Sequence, residues 1–302
     1  MPEHSLKYHA IKGAAKLFGA KRKLKISADG ICEKYGKKSR VIYVPDKTFS
    51  PELTFEMKNE NLYVFSLIRH RQKREDAIMF IPGGGMFSYP DGWDYKFFEE
   101  LALRTGRDVI IPYYPLCLYG SIDLSLDMIY WLFQRLIAEY GVENVAVAGC
   151  SVGGNLALGL VSHINAKNEG VPMPERLYVS SPMMCIYSQE ERERAMQLDK
   201  TDPFIPVEWL DTFRDLITHG KELPDYMLYP QLGIYDGLDR AHVCFADCEV
   251  LYSMCGSLVS RLESAGAEVA LEVGKGLFHG YPVKNNVREA HDGHINMLRY
   301  LV

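Results

Sequence analysis

The chain has 302 residues, 47% of them hydrophobic and 24% charged, with a formal net charge of −5. That length suits one large α/β domain or two smaller ones with a sizeable core, and the acidic balance excludes a protein built to bind nucleic acid. No stretch approaches the ~18 unbroken apolar residues of a membrane span, and the basic start lacks the apolar run and cleavage site of a secretory signal.

Seven cysteines (Cys32, Cys117, Cys150, Cys185, Cys244, Cys248 and Cys255) form no C-x-x-C pair, and the nearest two, Cys244 and Cys248, have no partner at zinc-site spacing. They read as reduced thiols of a cytoplasmic protein, mostly core fillers. Cys150 alone has a reactive thiol as its alternative. No metal and no cofactor is expected.

In chain order, the strand candidates are RVIYVP (40–45), NLYVFSLI (61–68), AIMFIP (77–82), DVIIPYY (108–114), NVAVAGC (144–150), RLYVSS (176–181), HVCFAD (242–247) and EVALEV (268–273). Several are apolar throughout, as strands covered on both faces are. Helical spacing predicts helices over 123–140, 153–167 and 250–266, the last stopped by Gly266, and the chain closes on a further helical pattern. Strands alternating with helices predict a mainly parallel sheet with helices on both faces, and the short first connections predict an antiparallel start. About fifty residues between SSPMMCIY and HVCFAD break the alternation. Only PVEWLDTFRDLI, opened by Pro206, looks helical there, and the interval reads as an insertion packed onto the sheet.

In AGCSVGGN (148–155), Ser151 stands between glycines where a strand ends and a helix begins. A nucleophile elbow needs that arrangement, because its crowded turn excludes side chains around the hydroxyl. The helix N-terminus also favours negative charge developing beside the serine. A glycine-rich turn is the plain alternative; a nucleotide-binding turn fits less well, since no G-x-G-x-x-G or G-K-[ST] is present. A serine nucleophile further requires an oxyanion hole, a histidine and an orienting acid. FIPGGGMF (80–87) offers consecutive glycines whose N–H groups can approach a ligand closely. His279, in GLFHGYP, follows the last strand candidate and lies where the active site of such a sheet falls. His4, His9, His163, His219, His291 and His294 lie on helical patterns, in the insertion or in the basic start, and read as structural or surface residues. FADCEVLYS supplies two acids, Asp247 and Glu249, either able to orient the imidazole.

Taken in order, PGGGMF, GCSVGGN, FADCEVLYS and GLFHGYP resemble the hormone-sensitive-lipase-like branch of the α/β-hydrolases, the carboxylesterases and acetyl esterases. The likeness runs from about residue 60 to the C-terminus. It implies an α/β-hydrolase fold with a helical cap and no cofactor. Residues 1–40 and 186–235 would form the cap, and 41–185 and 236–302 the two parts of the core. Carried over, Ser151 is the nucleophile, His279 the base and then the acid, Glu249 the orienting acid with Asp247 as fallback, and the N–H groups of Gly84, Gly85 and Val152 the oxyanion donors. The implied activity is hydrolysis of short-chain acyl esters of small molecules. An amidase with the same triad and a degenerate hydrolase that binds ligands are the rivals. Oligomeric state is left open, a homodimer included.

Two positions depart from the family's pattern. Pro82 stands where the family has a histidine, so the oxyanion loop is expected to be held by another group or to bind its oxyanion less well. Glutamate reaches one methylene further than the usual aspartate. The basic start, with no acidic residue between Glu3 and Asp29, also allows contact with an acidic partner or membrane surface, though a cap helix with solvated lysines is the plainer expectation.

Overall fold

Apolar runs with two-residue periodicity become strands of one eight-stranded sheet in the computed structural model, which describes residues 5–37, 39, 41–45, 49–283 and 287–302. Three helices come first: α1 (Leu6–Leu17), α2 (Ala20–Leu24) and α3 (Ala28–Tyr35). The chain then enters the sheet through β1 (Leu53–Glu60), β2 (Tyr63–His70) and β3 (Ala77–Ile81). Helix α4 (Gly92–Thr105) and β4 (Asp108–Pro112) follow, and α5 (Ile122–Tyr140) precedes β5 (Val145–Cys150). After α6 (Val152–Lys167) and β6 (Arg176–Ser180) comes the insertion, with α7 (Gln189–Leu198), α8 (Glu208–Thr218) and α9 (Asp225–Leu228). Strand β7 (Arg240–Ala246), α10 (Cys255–Ser264), β8 (Glu268–Gly274) and α11 (His291–Tyr300) complete the chain.

The strand order is β1-β2-β4-β3-β5-β6-β7-β8. β1 pairs antiparallel with β2, and β2 antiparallel with β4; every later pairing is parallel. Alternation along the strands divides the core between the two faces. Met79 and Val147 belong to the core on the face covered by α5, α6 and α10, whereas their neighbours Phe80 and Ala148 belong to the core on the face covered by α4 and α11.

Two expectations are corrected. Residues 41–45 form no strand, and Val41 and Val44 are exposed; Arg40 lies outside the described residues. The edge strand is instead LTFEMKNE, whose charged residues mask its alternation: Leu53, Phe55 and Met57 pack toward the core while Thr54 and Glu56 face out. Two helices also lie where the sequence shows no clear helical spacing, and each is announced by its cap. Asp91 and Asp94 close a capping box on α4, and Ser188 and Glu191 close one on α7.

The insertion packs against the N-terminal helices. Lys21 Nζ pairs with Asp199 Oδ1 at 2.7 Å, and Thr212 Oγ1 donates to the Ile26 carbonyl at 3.2 Å. His219 meets the Cys117 carbonyl at 2.5 Å, and Trp209 and Phe213 enter the main core. Among the described residues, no helix is long and apolar enough to cross a membrane.

Glycine is obligatory where β5 turns into α6. A Cβ on Gly153 would lie 1.9 Å from the Ile81 carbonyl oxygen, and one on Gly149 would lie 2.1 Å from the Gly153 carbonyl oxygen. Gly153→Ala is therefore expected to lower unfolding free energy by roughly 1–3 kcal/mol through overpacking. A Cβ on Gly256, in α10, would meet nothing within 4 Å, so Gly256→Ala should raise it by about 0.5–1 kcal/mol through helix propensity. Denaturant midpoints of the two variants shifting in the same direction would contradict this account.

Candidate active site

Parallel strands β5, β6, β7 and β8 end side by side, and the residues just past those ends converge. Ser151 follows β5 directly with φ 58° and ψ −124°, a left-handed backbone strained for a serine. Its N–H donates to the Ser180 carbonyl at 2.9 Å, and its carbonyl accepts from Met183 N–H at 2.9 Å. The turn is thus pinned to β6. The first turn of α6 starts at Val152, so its amide end points toward the serine.

His279 lies between β8 and α11, in a loop anchored by the buried side chains of Phe278 and Tyr281. Its Nε2 is 2.9 Å from Ser151 Oγ, and its Nδ1 is 2.7 Å from Glu249 Oε2. Glu249, just past β7, is fully buried. Its other oxygen, Oε1, accepts from Ser181 Oγ at 2.7 Å and from Ala246 N–H at 2.9 Å. Asp247 turns the other way, and its Oδ1 accepts from Gly276 N–H at 2.7 Å. Of the two acids at this strand end, Glu249 reaches the imidazole and Asp247 holds the start of the histidine loop.

A second carboxylate steadies the acid's backbone. Asp202, in the insertion, accepts from Phe204 and Ile205 N–H through Oδ1 and from Val250 N–H through Oδ2 at 2.9 Å. Burial pushes its carboxyl above the ordinary value despite those three donors. Neither Asp202 nor Ser181 stands out in the sequence. Ser181 is detectable only as the residue that ends the strand beside the elbow, in SSPM.

The glycine loop lies against the serine. A Cβ on Gly83 would come within 3.2 Å of both Ser151 Cβ and the Cys150 carbonyl oxygen. Gly84 (φ 128°) and Gly85 (φ 63°) take backbone that favours glycine, and a Cβ on Gly84 would meet the Ser88 carbonyl oxygen at 2.2 Å. Pro82 has no side-chain donor, and the loop is held through its carbonyl instead. Buried Tyr114 donates its hydroxyl to the Pro82 oxygen at 2.8 Å, with the Gly83 oxygen at 3.3 Å. Cys117 N–H adds a bond to the Met86 carbonyl at 2.9 Å. Tyr114→Phe leaves the Pro82 carbonyl without its donor. We expect kcat to fall roughly tenfold with KM little changed, and stability to drop by about 1–3 kcal/mol. An unchanged kcat would show that the loop is held without this bond.

A cavity of about 650 Å³ opens above Ser151 and His279. The N-terminal helices contribute Leu24 and Tyr35 to its wall, and the insertion contributes Phe204 and Trp209. The remaining histidines lie elsewhere. His163 Nδ1 meets the Tyr226 hydroxyl at 2.7 Å, and burial lowers its imidazole's affinity for a proton. His294 lies between the Pro282 carbonyl at 2.8 Å and Glu100 at 3.1 Å. His9 and His291 are exposed, and His4 lies outside the described residues. Cys150, 7% exposed, adjoins the serine and lines the same cavity. Among the described residues no cluster of histidine, cysteine and acidic side chains is placed to hold a metal ion.

The family described as alpha/beta hydrolase fold matches residues 78–283, and the chain belongs to it. Among characterised proteins, Esterase LipU of Mycobacterium tuberculosis is 26% identical over 217 residues, covering 68% of this chain and 70% of LipU. An esterase of Acinetobacter venetianus is 25% identical over 221 residues, covering 72% of this chain and 71% of that one. A triacylglycerol lipase of Mycobacterium tuberculosis is 30% identical over 132 residues, 43% of this chain, and the match spans only 30% of the lipase. Among solved structures, an esterase of the bacterial hormone-sensitive lipase family aligns with a TM-score of 0.81 at 18% identity, covering 100% of this chain and 98% of that one. The hormone-sensitive lipase homologue EstE7, from a metagenome library, aligns with a TM-score of 0.76 at 16% identity, covering 97% of each chain. At such identities the two structures establish a shared fold.

Proposed function

We propose that this α/β-hydrolase is a serine carboxylic ester hydrolase acting on short-chain acyl esters of small molecules. The observation that carries the reading is the single imidazole, His279, within hydrogen-bond reach of Ser151 Oγ at 2.9 Å and Glu249 Oε2 at 2.7 Å. Its kinship with named esterases and a lipase supports the same class.

In this mechanism His279 Nε2 takes the Ser151 proton as Oγ attacks the ester carbonyl carbon. Glu249 holds Nδ1–H, fixing the tautomer and stabilising the imidazolium that forms. The tetrahedral oxyanion receives N–H groups from Gly84, Gly85 and Val152, where the glycine loop faces the start of α6. Collapse breaks the ester C–O bond, and His279 returns the proton to the leaving alcohol. Water, deprotonated by the same imidazole, then attacks the acyl-enzyme, and Ser151 regains its proton as the acid departs.

Residues 1–40 and 186–235 form the cap in this reading, supported by their shared wall over the serine and the bonds between them. The short-acyl assignment follows from the family resemblance, with the cap side chains Leu24, Tyr35, Phe204 and Trp209 walling the cavity over the serine. A cytoplasmic location is supported by seven cysteines without a pairing pattern. The test is turnover of p-nitrophenyl acetate, butyrate and palmitate beside a matched p-nitroanilide. We expect the two short esters to be preferred. A preference for palmitate removes the chain-length assignment, and faster anilide cleavage makes the protein an amidase. No turnover of any of the four, with ligand binding retained, makes it a binding protein.

A further inference from the structure

We propose that Ser181 is a positioning residue that sets the Glu249 carboxylate and the His279 loop relative to one another, an inference that rests on the Ser-His-Glu reading above. Strand register places it there. Cys150 pairs with Ser180 across β5 and β6, and Ser180 pairs with Cys244 across β6 and β7. Ser181 is therefore the first residue past the central strand, between the end that carries Ser151 and the end that carries Glu249.

Its hydroxyl makes two bonds whose direction is forced. Gly280 N–H, the amide following His279, lies 3.1 Å from Ser181 Oγ and can only donate. The Glu249 carboxylate, 2.7 Å away, accepts. The single hydroxyl proton thus goes to Glu249, and an oxygen lone pair takes the Gly280 amide. One side chain ties the acid to the backbone of the base. Glu249 is fully buried, so a negative charge there depends on its donors: Ser181 and Ala246 N–H on Oε1, His279 on Oε2.

The backbone at Ser181 points the same way. Its φ is 46°, in the left-handed region that glycine occupies without strain, and Pro182 follows, whose ring steers a preceding residue toward extended backbone. The N–H donates to the Cys244 carbonyl at 2.7 Å, which holds this conformation. A serine costs more than a glycine would here, and the side chain is what glycine would lack.

Ser181→Gly and Ser181→Ala remove the hydroxyl, and the glycine variant also relieves the backbone. With p-nitrophenyl butyrate we expect both to lower kcat roughly 10- to 100-fold with KM little changed. In a Glu249→Gln background, Ser181→Gly should cost less than about threefold, because its target is already gone. Additive losses in the double variant, or a Ser181→Gly enzyme with wild-type kcat, would overturn the proposal. A loss in Ser181→Ala alone traces to backbone strain and overturns it as well. Full activity in Glu249→Gln by itself refutes the triad reading, and the positioning role with it.

Discussion

Ser151→Ala is expected to lower kcat for a short p-nitrophenyl ester on the order of 10⁵-fold or more, with KM little changed. The serine's left-handed backbone is held by Ser180 and Met183, and Gly83 stands where a side chain would come within 3.2 Å of Ser151 Cβ. His279 Nε2 at 2.9 Å is the base positioned to take its proton. Without Oγ no acyl-enzyme forms, and only what binding and the oxyanion donors provide remains. A fluorophosphonate should therefore phosphonylate the wild type and not the variant, read by intact mass. Cys150 is the control, since it adjoins the serine and lines the same cavity. Labelling that survives Ser151→Ala and disappears in Cys150→Ala would move the nucleophile to the thiol.

Glu249→Gln is expected to cost roughly 10³- to 10⁴-fold in kcat, because an amide holds the imidazole in the wrong tautomer and leaves the imidazolium without its counter-charge. Asp247→Asn should stay within about threefold of wild type. The remaining oxygen of asparagine can still accept from Gly276 N–H, the contact Asp247 makes at 2.7 Å. The two side chains stand two positions apart on one turn, so a shared local disturbance would affect both variants alike. The reverse ordering of the two losses would exchange their roles.

Much of this arrangement is legible in the residues alone. Apolar strands buried on both faces, such as VAVAGC, declare themselves by composition, as do the long helices α5 and α6. The edge strand β1 does not, because an edge with one covered face tolerates charges that read as loop. Helices α4 and α7 hide behind aromatic and charged composition, although their capping boxes are in plain view.

The sequence by itself determined the mainly parallel sheet with its antiparallel start, and the need for Gly149 before Ser151, since strand period, connection length and the crowding of Gly149 against the Gly153 carbonyl are local properties of the chain. Only the tertiary structure decided which acid faces His279. Asp247 and Glu249 share a strand end, and their directions depend on how β7 meets β8 and on bonds from Ser181 and Asp202, residues distant in sequence. Only packing likewise decided what holds the proline-led loop. The Tyr114 hydroxyl reaches the Pro82 carbonyl across thirty-two positions of chain, and no local pattern encodes a contact of that range.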